Sequence, residues 1–393
     1  MSHTHLTVYG ATWCSDCKRA KKFLGEQRIH YNWIDVEQDA AGLAFVEQVN
    51  HGKRIIPTIV FDDNSVLAEP SNAELAQKLG LQTQARMNYY DLIGIGGGPA
   101  SLTAALYAAR EGLDVLVIEK SGLGGQAGVT ERLDNFPGFP DGIGGGEFAD
   151  RLVQQTRRFG VELLQAQEVI GLRAEEESKY VTTADGHEYA ARAILIATGS
   201  TYRRLGVPGE DELIGAGVHF CATCDGPFYK GQHVAVVGGG NSAGEESLFL
   251  TRFADRVTML VRGPAMTASQ IVIDKVTTNP KIEVRYNVEV AELHGEAKLS
   301  GITLRDRVTG ATDQIHPAAA FVFIGLSPNS GWLPLEIQRD ATGFIMTKMN
   351  LETSWPGVFA AGDVRASSTK QAASAVGEGA TAALMIREYL KSI

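Results

Sequence analysis

The chain of 393 residues has four cysteines, 13 prolines and more acid than base. None of its apolar runs approaches the roughly 18 residues of a membrane span. Each shortage excludes something. Lys and Arg number 36 against 46 Asp and Glu, a formal net charge of −10. That balance, with no basic block, argues against a nucleic-acid partner. The opening residues lack a basic stretch followed by an apolar one, so a cytoplasmic protein with no membrane attachment is expected. Glycine is the abundant residue, with 44 copies and no Gly-X-Y period. Among 44% apolar and 21% charged residues, it points to glycine turns inside folded domains. At about 150 residues per domain, the length allows two or three of them.

All four cysteines fall into Cys-x-x-Cys pairs, Cys14–Cys17 and Cys221–Cys224. In a reducing compartment such pairs are redox dithiols or metal half-sites. A zinc ribbon needs its half-sites about 15–20 residues apart, and these lie far apart in the chain. Two redox dithiols are expected, and no metal.

Hydrophobic patterning divides the chain. Residues 1–82 read as a small α/β unit, with strands at Leu6–Tyr9, Tyr31–Val36, Thr58–Phe61 and from Val66. A helix begins near Cys17, and Ser71 with Glu74 has capping-box spacing before another. The polar stretch Gln82–Asn88 has the composition of a tether. From Tyr89 the pattern becomes strand, glycine turn, helix, strand, and it recurs from Val234. Two such units predict two dinucleotide-binding folds, an α/β architecture throughout.

Gly96-Gly97-Gly98-Pro99-Ala100-Ser101 follows the first of these strands and opens a helix. The first glycine suits a tight turn, and the second lets a pyrophosphate approach backbone amides at the helix's positive end. Glu119, at the end of the next strand, has the spacing of an acid that accepts from a ribose hydroxyl. Gly238-Gly239-Gly240-Asn241-Ser242-Ala243 repeats the arrangement, but its following strand ends at Arg262. A guanidinium there can fork onto a 2′-phosphate, which favours NADPH over NADH. A nicotinamide delivers two electrons and a disulfide takes two, so a flavin between them is the economical reading.

From Tyr89 to Ile393 the chain resembles the low-molecular-weight thioredoxin reductase family. The resemblance rests on Gly96–Ala100, Gly124-Gly125-Gln126, Asn135-Phe136-Pro137-Gly138, Ala197-Thr198-Gly199, Cys221-Ala222-Thr223-Cys224-Asp225-Gly226, Gly238–Ala243, Gly362-Asp363 and Lys370-Gln371-Ala372. It implies FAD, NADPH, a homodimer and a disulfide substrate. It also implies a nucleotide domain at 205–327, carrying the dithiol, inserted between FAD-domain segments 89–204 and 328–393. On this resemblance, FAD is held by Gly96, Gly97, Gly98, Pro99, Ala100, Glu119, Gly125, Gln126, Asn135, Thr198, Gly199, Gly362, Asp363, Gln371 and Ala372. NADPH is held by Gly238, Gly240, Asn241, Ser242, Ala243 and Arg262. Cys224 faces the flavin, Cys221 exchanges with the outside partner, and Asp225 manages protons at the dithiol. His219, two residues before Cys221, is either a tuner of the thiol or a structural imidazole. The sequence departs from the family after the second nucleotide strand. There the usual His-Arg-Arg with a further arginine is reduced to Arg262 alone.

The first 82 residues resemble the glutaredoxin family, near its mycoredoxin-like branch, through Thr12-Trp13-Cys14-Ser15-Asp16-Cys17, Ile56-Pro57-Thr58 and Ser71-Asn72. A helix start and the run Lys18, Arg19, Lys21, Lys22 favour the Cys14 thiolate, and Asp16 opposes it. The resemblance makes Cys14 the nucleophile, Cys17 the resolving thiol and Pro57 a cis-proline beside them. The combined expectation is a flavin-dependent disulfide reductase. It passes electrons from NADPH through FAD and Cys221–Cys224 to its own Cys14–Cys17, and on to a thioredoxin, a peroxiredoxin or a low-molecular-weight thiol disulfide. The alternatives are a peroxiredoxin reductase of the alkyl hydroperoxide reductase type and a reductase whose N-terminal module docks partners or binds an iron–sulfur cluster.

Overall fold

The computed structural model describes residues 6–393 apart from 28, 131, 134 and 176, and leaves the side chains of Glu26, Thr223 and Cys224 undescribed. The chain forms two compact units. One comprises Met1–Thr130, Gly144–Gly199 and Pro328–Ile393, and the other Glu131–Ile143 and Ser200–Ser327. The longer segment of the second unit is Ser200–Ser327. Strand Ser200–Tyr202 already pairs with Leu326–Pro328, the segment at the other chain crossing. No helix among the described residues is long and apolar enough to cross a membrane.

The N-terminal part of the first unit is a four-stranded sheet in the order Tyr31–Asp35, Leu6–Gly10, Thr58–Val60, Val66–Ala68. The first pair is parallel and the others antiparallel. Leu6 and Val8 alternate into a core with Phe23, Leu24, Ile59 and Leu75, while Tyr9 between Val8 and Gly10 turns to the opposite face and stacks on Phe45 of helix Ala40–Val49. Helix Ser15–Glu26 packs on this sheet with Cys14 as its N-cap. Helix Asn72–Lys78 starts with the full capping box, both reciprocal bonds of Ser71 and Glu74 being present.

The rest of the first unit is a seven-stranded sheet around a parallel centre. Tyr89–Ile95 lies between Glu188–Ile196 and Val115–Ile118, and Val358–Ala360 joins Glu188–Ile196. These strands are nearly continuous apolar runs because both faces are covered, one of them by helices Pro99–Arg110 and Ala372–Lys391. The two helices touch backbone to backbone at Gly379, where a Cβ would lie 2.2 Å from the Ala100 carbonyl oxygen. The second unit has a parallel sheet in the order Val218–His219, Ala319–Val322, His233–Val237, Arg256–Val261, Ile282–Tyr286. A three-stranded antiparallel sheet, Val288–Gly295, Leu299–Asp306 and Thr312–Ile315, follows it.

The stretch Gln82–Asn88 is not the free tether that its composition suggested. It is bonded along the seven-stranded sheet. The hub is Glu162, whose side chain is only 7% exposed. Its carboxylate accepts from the Arg86 amide at 2.7 Å, from the Tyr90 hydroxyl at 2.7 Å and from the Gln82 side-chain amide. The Gln82 and Asn88 carbonyls accept from the Gln165 and Ala190 amides, and Ala85 packs against the core beneath. Gln165 also reaches the N-terminal domain, donating to the Gln27 side chain at 3.0 Å. A buried carboxylate with no bound donors is costly, and the polar strap supplies those donors. Composition could not show this, because Glu162 is remote in sequence. Replacing Glu162 with Leu removes the acceptor and leaves the donors unmet, at about 1–3 kcal/mol for each buried group left unpaired. Hydrogen–deuterium exchange across residues 82–88 should rise by roughly 10- to 100-fold in that variant. Unchanged protection would show that the strap is held by something else.

Candidate functional site

Two glycine turns are built the same way, one in each unit. At the first, Gly96 has φ 101°, and a Cβ there would lie 2.4 Å from the Ala197 carbonyl oxygen. Only glycine accepts both the left-handed backbone and that approach. Gly98 is the N-cap of helix Pro99–Arg110, with Pro99 in its first turn. A Cβ on Gly98 would meet nothing within 4 Å, so an open notch lies above the helix's unpaired N–H groups. Ser101 fits the third position because Gly94 lies opposite it, where a Cβ would come within 2.4 Å of the Ser101 oxygen.

Other segments expected to hold FAD close around this notch. The Gly124 amide donates to the Gly97 carbonyl at 2.8 Å, and a Cβ on Gly125 would lie 3.1 Å from Gly98 Cα. Gln126 follows in the short helix Gly125–Val129. Thr198 backs onto Gly96, its hydroxyl donating to the Asn329 carbonyl at 2.7 Å. The next residue, Gly199, has φ 69° and accepts from the Asn329 amide. Gly362 has φ 75°, and a Cβ there would lie 3.2 Å from Ala100 Cβ. Asp363 follows, and burial pushes its carboxyl up against the pull of Lys370. Lys370 is itself held by the Asp363 and Arg365 carbonyls at 2.7 and 2.8 Å. Gln371 caps helix Ala372–Lys391, so a second long helix opens here, at Ala372.

Two further residues expected at this site make contacts of their own. Glu119 accepts from the Gly97 amide at 2.5 Å through one oxygen, and from the Ser121 amide and hydroxyl at 2.7 and 2.9 Å through the other. The carboxylate therefore shapes the glycine loop itself. A carboxylate offers about four acceptor positions, so it retains capacity for a ribose hydroxyl. Asn135 belongs to the segment grouped with the second unit. There it lines a cavity of about 420 Å³ with Phe136, Pro137, Gly138, Phe139 and Pro140. The open notch, two helix N-termini and an acid at a strand end together suit a dinucleotide with a pyrophosphate.

At the second turn Gly238 has φ 145°, and a Cβ would lie 2.4 Å from the Phe323 carbonyl oxygen. Gly240 caps helix Asn241–Leu250, with nothing nearer a Cβ than the Thr267 hydroxyl at 3.9 Å. Ala243 is buried against Gly238, while Ser242 is exposed. The Asn241 side chain accepts from the Ser269 amide at 2.7 Å, which ties the loop after Arg262 to the helix start. Arg262 is exposed at the end of its strand. A residue absent from the sequence reading joins it. Arg307 donates through Nη1 to the Arg262 carbonyl at 3.2 Å and pairs with Glu289 at 3.3 Å. Asn287 laces the two segments, donating to the Gly263 carbonyl and accepting from the Arg307 amide. Glu289 also accepts from Arg305 at 2.8 Å, so two guanidinium groups pair with one carboxylate, and the Arg262 charge also favours its ionised form. Nothing in local patterning marks Arg307, because hairpin topology alone brings it to this loop.

The dithiols differ in state and setting. Cys221 is disulfide-bonded, and Cys14 and Cys17 are free thiols. The role expected of Cys224 falls on a side chain outside the described residues. Asp225 lies one short turn on, its amide donating to the Cys221 carbonyl at 3.1 Å. In the N-terminal domain the Cys14 sulfur accepts from the Cys17 amide at 3.1 Å and lies 3.7 Å from the Ile56 carbonyl, beside the cis Ile56–Pro57 peptide. Cys14 is 6% exposed and Cys17 only 1%. Burial pushes the Cys17 thiol up to about 12, and the Cys14 contact adds to this. Of the basic run beside them, Arg19 is paired to Asp16 at 3.1 Å and Lys21 lies over the Trp33 ring.

Comparison with known proteins agrees with this geometry. The family described as pyridine nucleotide-disulphide oxidoreductase matches residues 90–379, and the glutaredoxin family matches residues 6–66. A thioredoxin reductase of Treponema pallidum (strain Nichols) is 41% identical over 304 residues, 77% of this chain and 98% of its own length. A protein of Mycobacterium leprae (strain TN) named bifunctional thioredoxin reductase/thioredoxin is 41% identical over 307 residues, 78% of this chain and 67% of its own. The crystal structure of thioredoxin reductase from Streptococcus pyogenes MGAS5005 superposes with a TM-score of 0.73 at 39% identity, covering 78% of this chain and 99% of that one. The chain thus belongs to the thioredoxin reductases among the pyridine nucleotide-disulphide oxidoreductases, with a glutaredoxin domain at its N-terminus.

Proposed function

We propose that this enzyme draws electrons from NADPH and delivers them, through its glutaredoxin domain, to an external disulfide. The observation that carries the reading is the presence in one chain of a reductase dithiol held as a disulfide at Cys221 and a helix-capping free thiol at Cys14. The Mycobacterium leprae relative, whose name joins a reductase to a thioredoxin, supports a built-in acceptor. The loops around Gly98 and Gly362 hold FAD, and the loop at Gly240 holds the nicotinamide nucleotide. When bound, the flavin supplies two-electron exchange between a nicotinamide and a disulfide.

The steps that follow belong to the chain's own sulfurs. The Cys221 thiolate attacks Cys14 of an oxidised Cys14–Cys17 pair, and the Cys17 sulfur leaves and takes a proton. Cys224 then displaces Cys14, which re-forms the Cys221–Cys224 disulfide. The freed Cys14 attacks an external disulfide and releases one thiolate of it. Cys17 resolves the mixed disulfide and releases the second. Two electrons move from one dithiol to the next at each stage. Thioredoxin-type dithiols poise near −270 mV and glutaredoxins near −200 to −230 mV, so a transfer between these classes runs downhill by about 2–3 kcal/mol.

The strap changes how Cys14 is reached. Gln27 caps the far end of the 12-residue helix from Cys14, and at 1.5 Å per residue the flavin-side contact at Gln165 is about 18 Å along the helix from the thiol. The anchored end and the reactive end are therefore opposite ends. Cys14 is left to meet the Cys221 dithiol and the substrate by turns, within one chain or across a homodimer. Cys14→Ser should abolish disulfide turnover and leave NADPH-dependent bleaching of the flavin intact. Full turnover of the variant with oxidised thioredoxin, peroxiredoxin and low-molecular-weight disulfides alike would remove the relay.

Two further outcomes are expected. A thiol with its pKa raised to about 12 is almost wholly protonated at neutral pH, and the thiolate is the nucleophile. Iodoacetamide at pH 7 should therefore label Cys14 of the reduced protein and spare Cys17, with Cys17 labelling rising only as the pH approaches that value. Equal labelling of both at pH 7, read by mass spectrometry, would contradict the assignment. For the nucleotide, Arg262 with Arg307 restores a second guanidinium to the reduced arginine cluster, and each charge-assisted contact is worth about 1.5–3 kcal/mol. Calorimetry should show 2′,5′-ADP binding tighter than 5′-AMP by roughly 10-fold or more. Arg262→Ala and Arg307→Ala should each narrow that gap. If neither moves it, the 2′-phosphate is not read here.

A further inference from the structure

We propose that His219 and Tyr229 form a proton relay to Asp225, so that the Cys221 thiol exchanges its proton with water through a buried imidazole. The proposal rests on the reading of Asp225 as the acid that serves this dithiol. It goes beyond that reading in assigning the route by which Asp225 is recharged.

His219 ends the short strand Val218–His219, in register with Phe321 of Ala319–Val322. That pairing carries it into the edge of a parallel sheet, and its side chain is 8% exposed. A buried imidazole needs partners for both nitrogens, and this one has them on opposite sides. Nδ1 lies 3.4 Å from an Asp225 carboxylate oxygen, and Nε2 lies 2.6 Å from the Tyr229 hydroxyl. The Phe321 ring lies 5.4 Å from the imidazole and 5.8 Å, edge-on, from Tyr229. Among the described residues, the titratable groups against the imidazole are Asp225 and Tyr229, and an apolar ring closes another side. Asp225 is bonded to the Cys221 backbone. Tyr229, like Asp225, is half-buried, so the chain of groups runs from the sulfur's neighbour through the buried ring to a second point at the surface.

Valence sets the direction of the hydrogen bonds. In the disulfide state an ionised Asp225 only accepts, so Nδ1 carries the proton and the bare Nε2 accepts from the phenol; in the dithiol state Asp225 accepts from the Cys221 thiol instead, and the ring keeps its proton at Nε2, toward the phenol. The Nδ1 contact is long, as catalytic hydrogen bonds are when no reaction partner is present. A purely structural imidazole could be held by any two polar groups. Here one partner is the carboxylate beside the dithiol and the other a phenol at the edge of the buried region.

The chemistry balances. When the Cys221 thiol attacks a disulfide, its sulfur bonds one sulfur of the target and the other leaves as a thiolate. The thiol proton passes to Asp225. Asp225 then hands a proton to the imidazole at Nδ1, Nε2 gives its own to the phenol oxygen, and the phenol loses one to water. This passage begins from the Nε2–H tautomer and ends in the Nδ1–H tautomer. When the dithiol is next reduced, a proton travels inward by the same atoms and resets the ring. No group ends the cycle changed, and each thiol oxidation releases one proton to solvent.

The test uses the full chain with Cys14→Ser and Cys17→Ser, so that the reactive thiols are Cys221 and Cys224. The protein is reduced with dithiothreitol, freed of reductant and mixed rapidly with an aromatic disulfide, and release of the aromatic thiolate is followed from pH 6 to 9. With the relay intact, the rate should depend only weakly on pH below the ordinary thiol range near 8.5. Asp225→Asn, His219→Gln and Tyr229→Phe should each slow attack at pH 6.5, on the order of 10- to 100-fold. Each should also convert the profile to a tenfold rise per pH unit, the signature of reaction through pre-formed thiolate alone. His219→Ala should regain rate on addition of millimolar imidazole. Tyr229→Phe keeps the ring and its packing, so it carries the test even if a His219 variant misfolds. Slow Asp225→Asn beside His219→Gln and Tyr229→Phe with the parent rate and profile would overturn the relay and keep Asp225 as the acid. Asp225→Asn at the parent rate would overturn both.

Discussion

Twice in this chain a backbone carbonyl stands 2.4 Å from where a side chain would begin, at Ala197 facing Gly96 and at Phe323 facing Gly238. Much of the functional geometry depends on those two approaches. They let a strand end, turn left-handed and deliver the next helix with its first N–H groups pointing into open space above Gly98 and Gly240. A methyl group at either first glycine would collide with backbone, which cannot move aside as a side chain can. The strand, the carbonyl and the helix start would have to separate, and the anion cradle would open with them. The nearby contacts serve the same geometry. Glu119 grips the Gly97 amide, Gly94 makes room for Ser101, and Gly362 packs onto Ala100. The cradle proposed for FAD is thus assembled from three remote stretches of sequence whose small residues let backbone meet backbone.

These local devices were legible in the sequence because each lies within a few residues. Gly96 to Ser101 announces strand, turn and helix in six letters. Ser71 with Glu74 announces a helix start, and the cap forms with both bonds. The two Cys-x-x-Cys pairs announce redox chemistry by spacing alone. What was not legible depends on partners brought by topology. Gln82–Asn88 reads as solvent-loving chain until Glu162 is found beneath it, and Arg307 reads as one more charge on an exposed hairpin until it meets the Arg262 carbonyl. The expectation of a ribose acceptor at Glu119 did not foresee that its carboxylate also holds the loop. Composition describes what a segment prefers when alone, and it is silent about a buried acceptor supplied from elsewhere in the chain.

The strap bears on the electron route as well as on stability. A free seven-residue linker would leave the glutaredoxin domain to search by diffusion, with an effective concentration set by linker length. A bonded strap fixes one end of the domain and restricts what the other end can meet. Gln165 joins both parts of this arrangement, donating its amide to the Gln82 carbonyl and its side chain to Gln27. Loosening Glu162 would therefore alter which surfaces the Cys14 end can visit without touching any sulfur.

The two dithiols handle protons in different ways, and each way suits its task. At Cys14 the backbone does the work: the sulfur accepts from the Cys17 amide, while burial pushes the Cys17 thiol up. That asymmetry favours capture of an outside disulfide by one sulfur and holds the second in reserve. At Cys221 the following helix is a single turn, Ala222–Asp225, too short to lend a comparable field. The charge that is missing there must be managed by side chains, and Asp225, His219 and Tyr229 are the ones within reach. A thiol that alternates between two disulfide partners needs its proton removed and returned in every cycle. Asp225 is itself partly exposed, and the buried imidazole gives it a second route. Coupling it to an imidazole and a half-exposed phenol allows the sulfur to stay shielded while its proton remains in exchange with water.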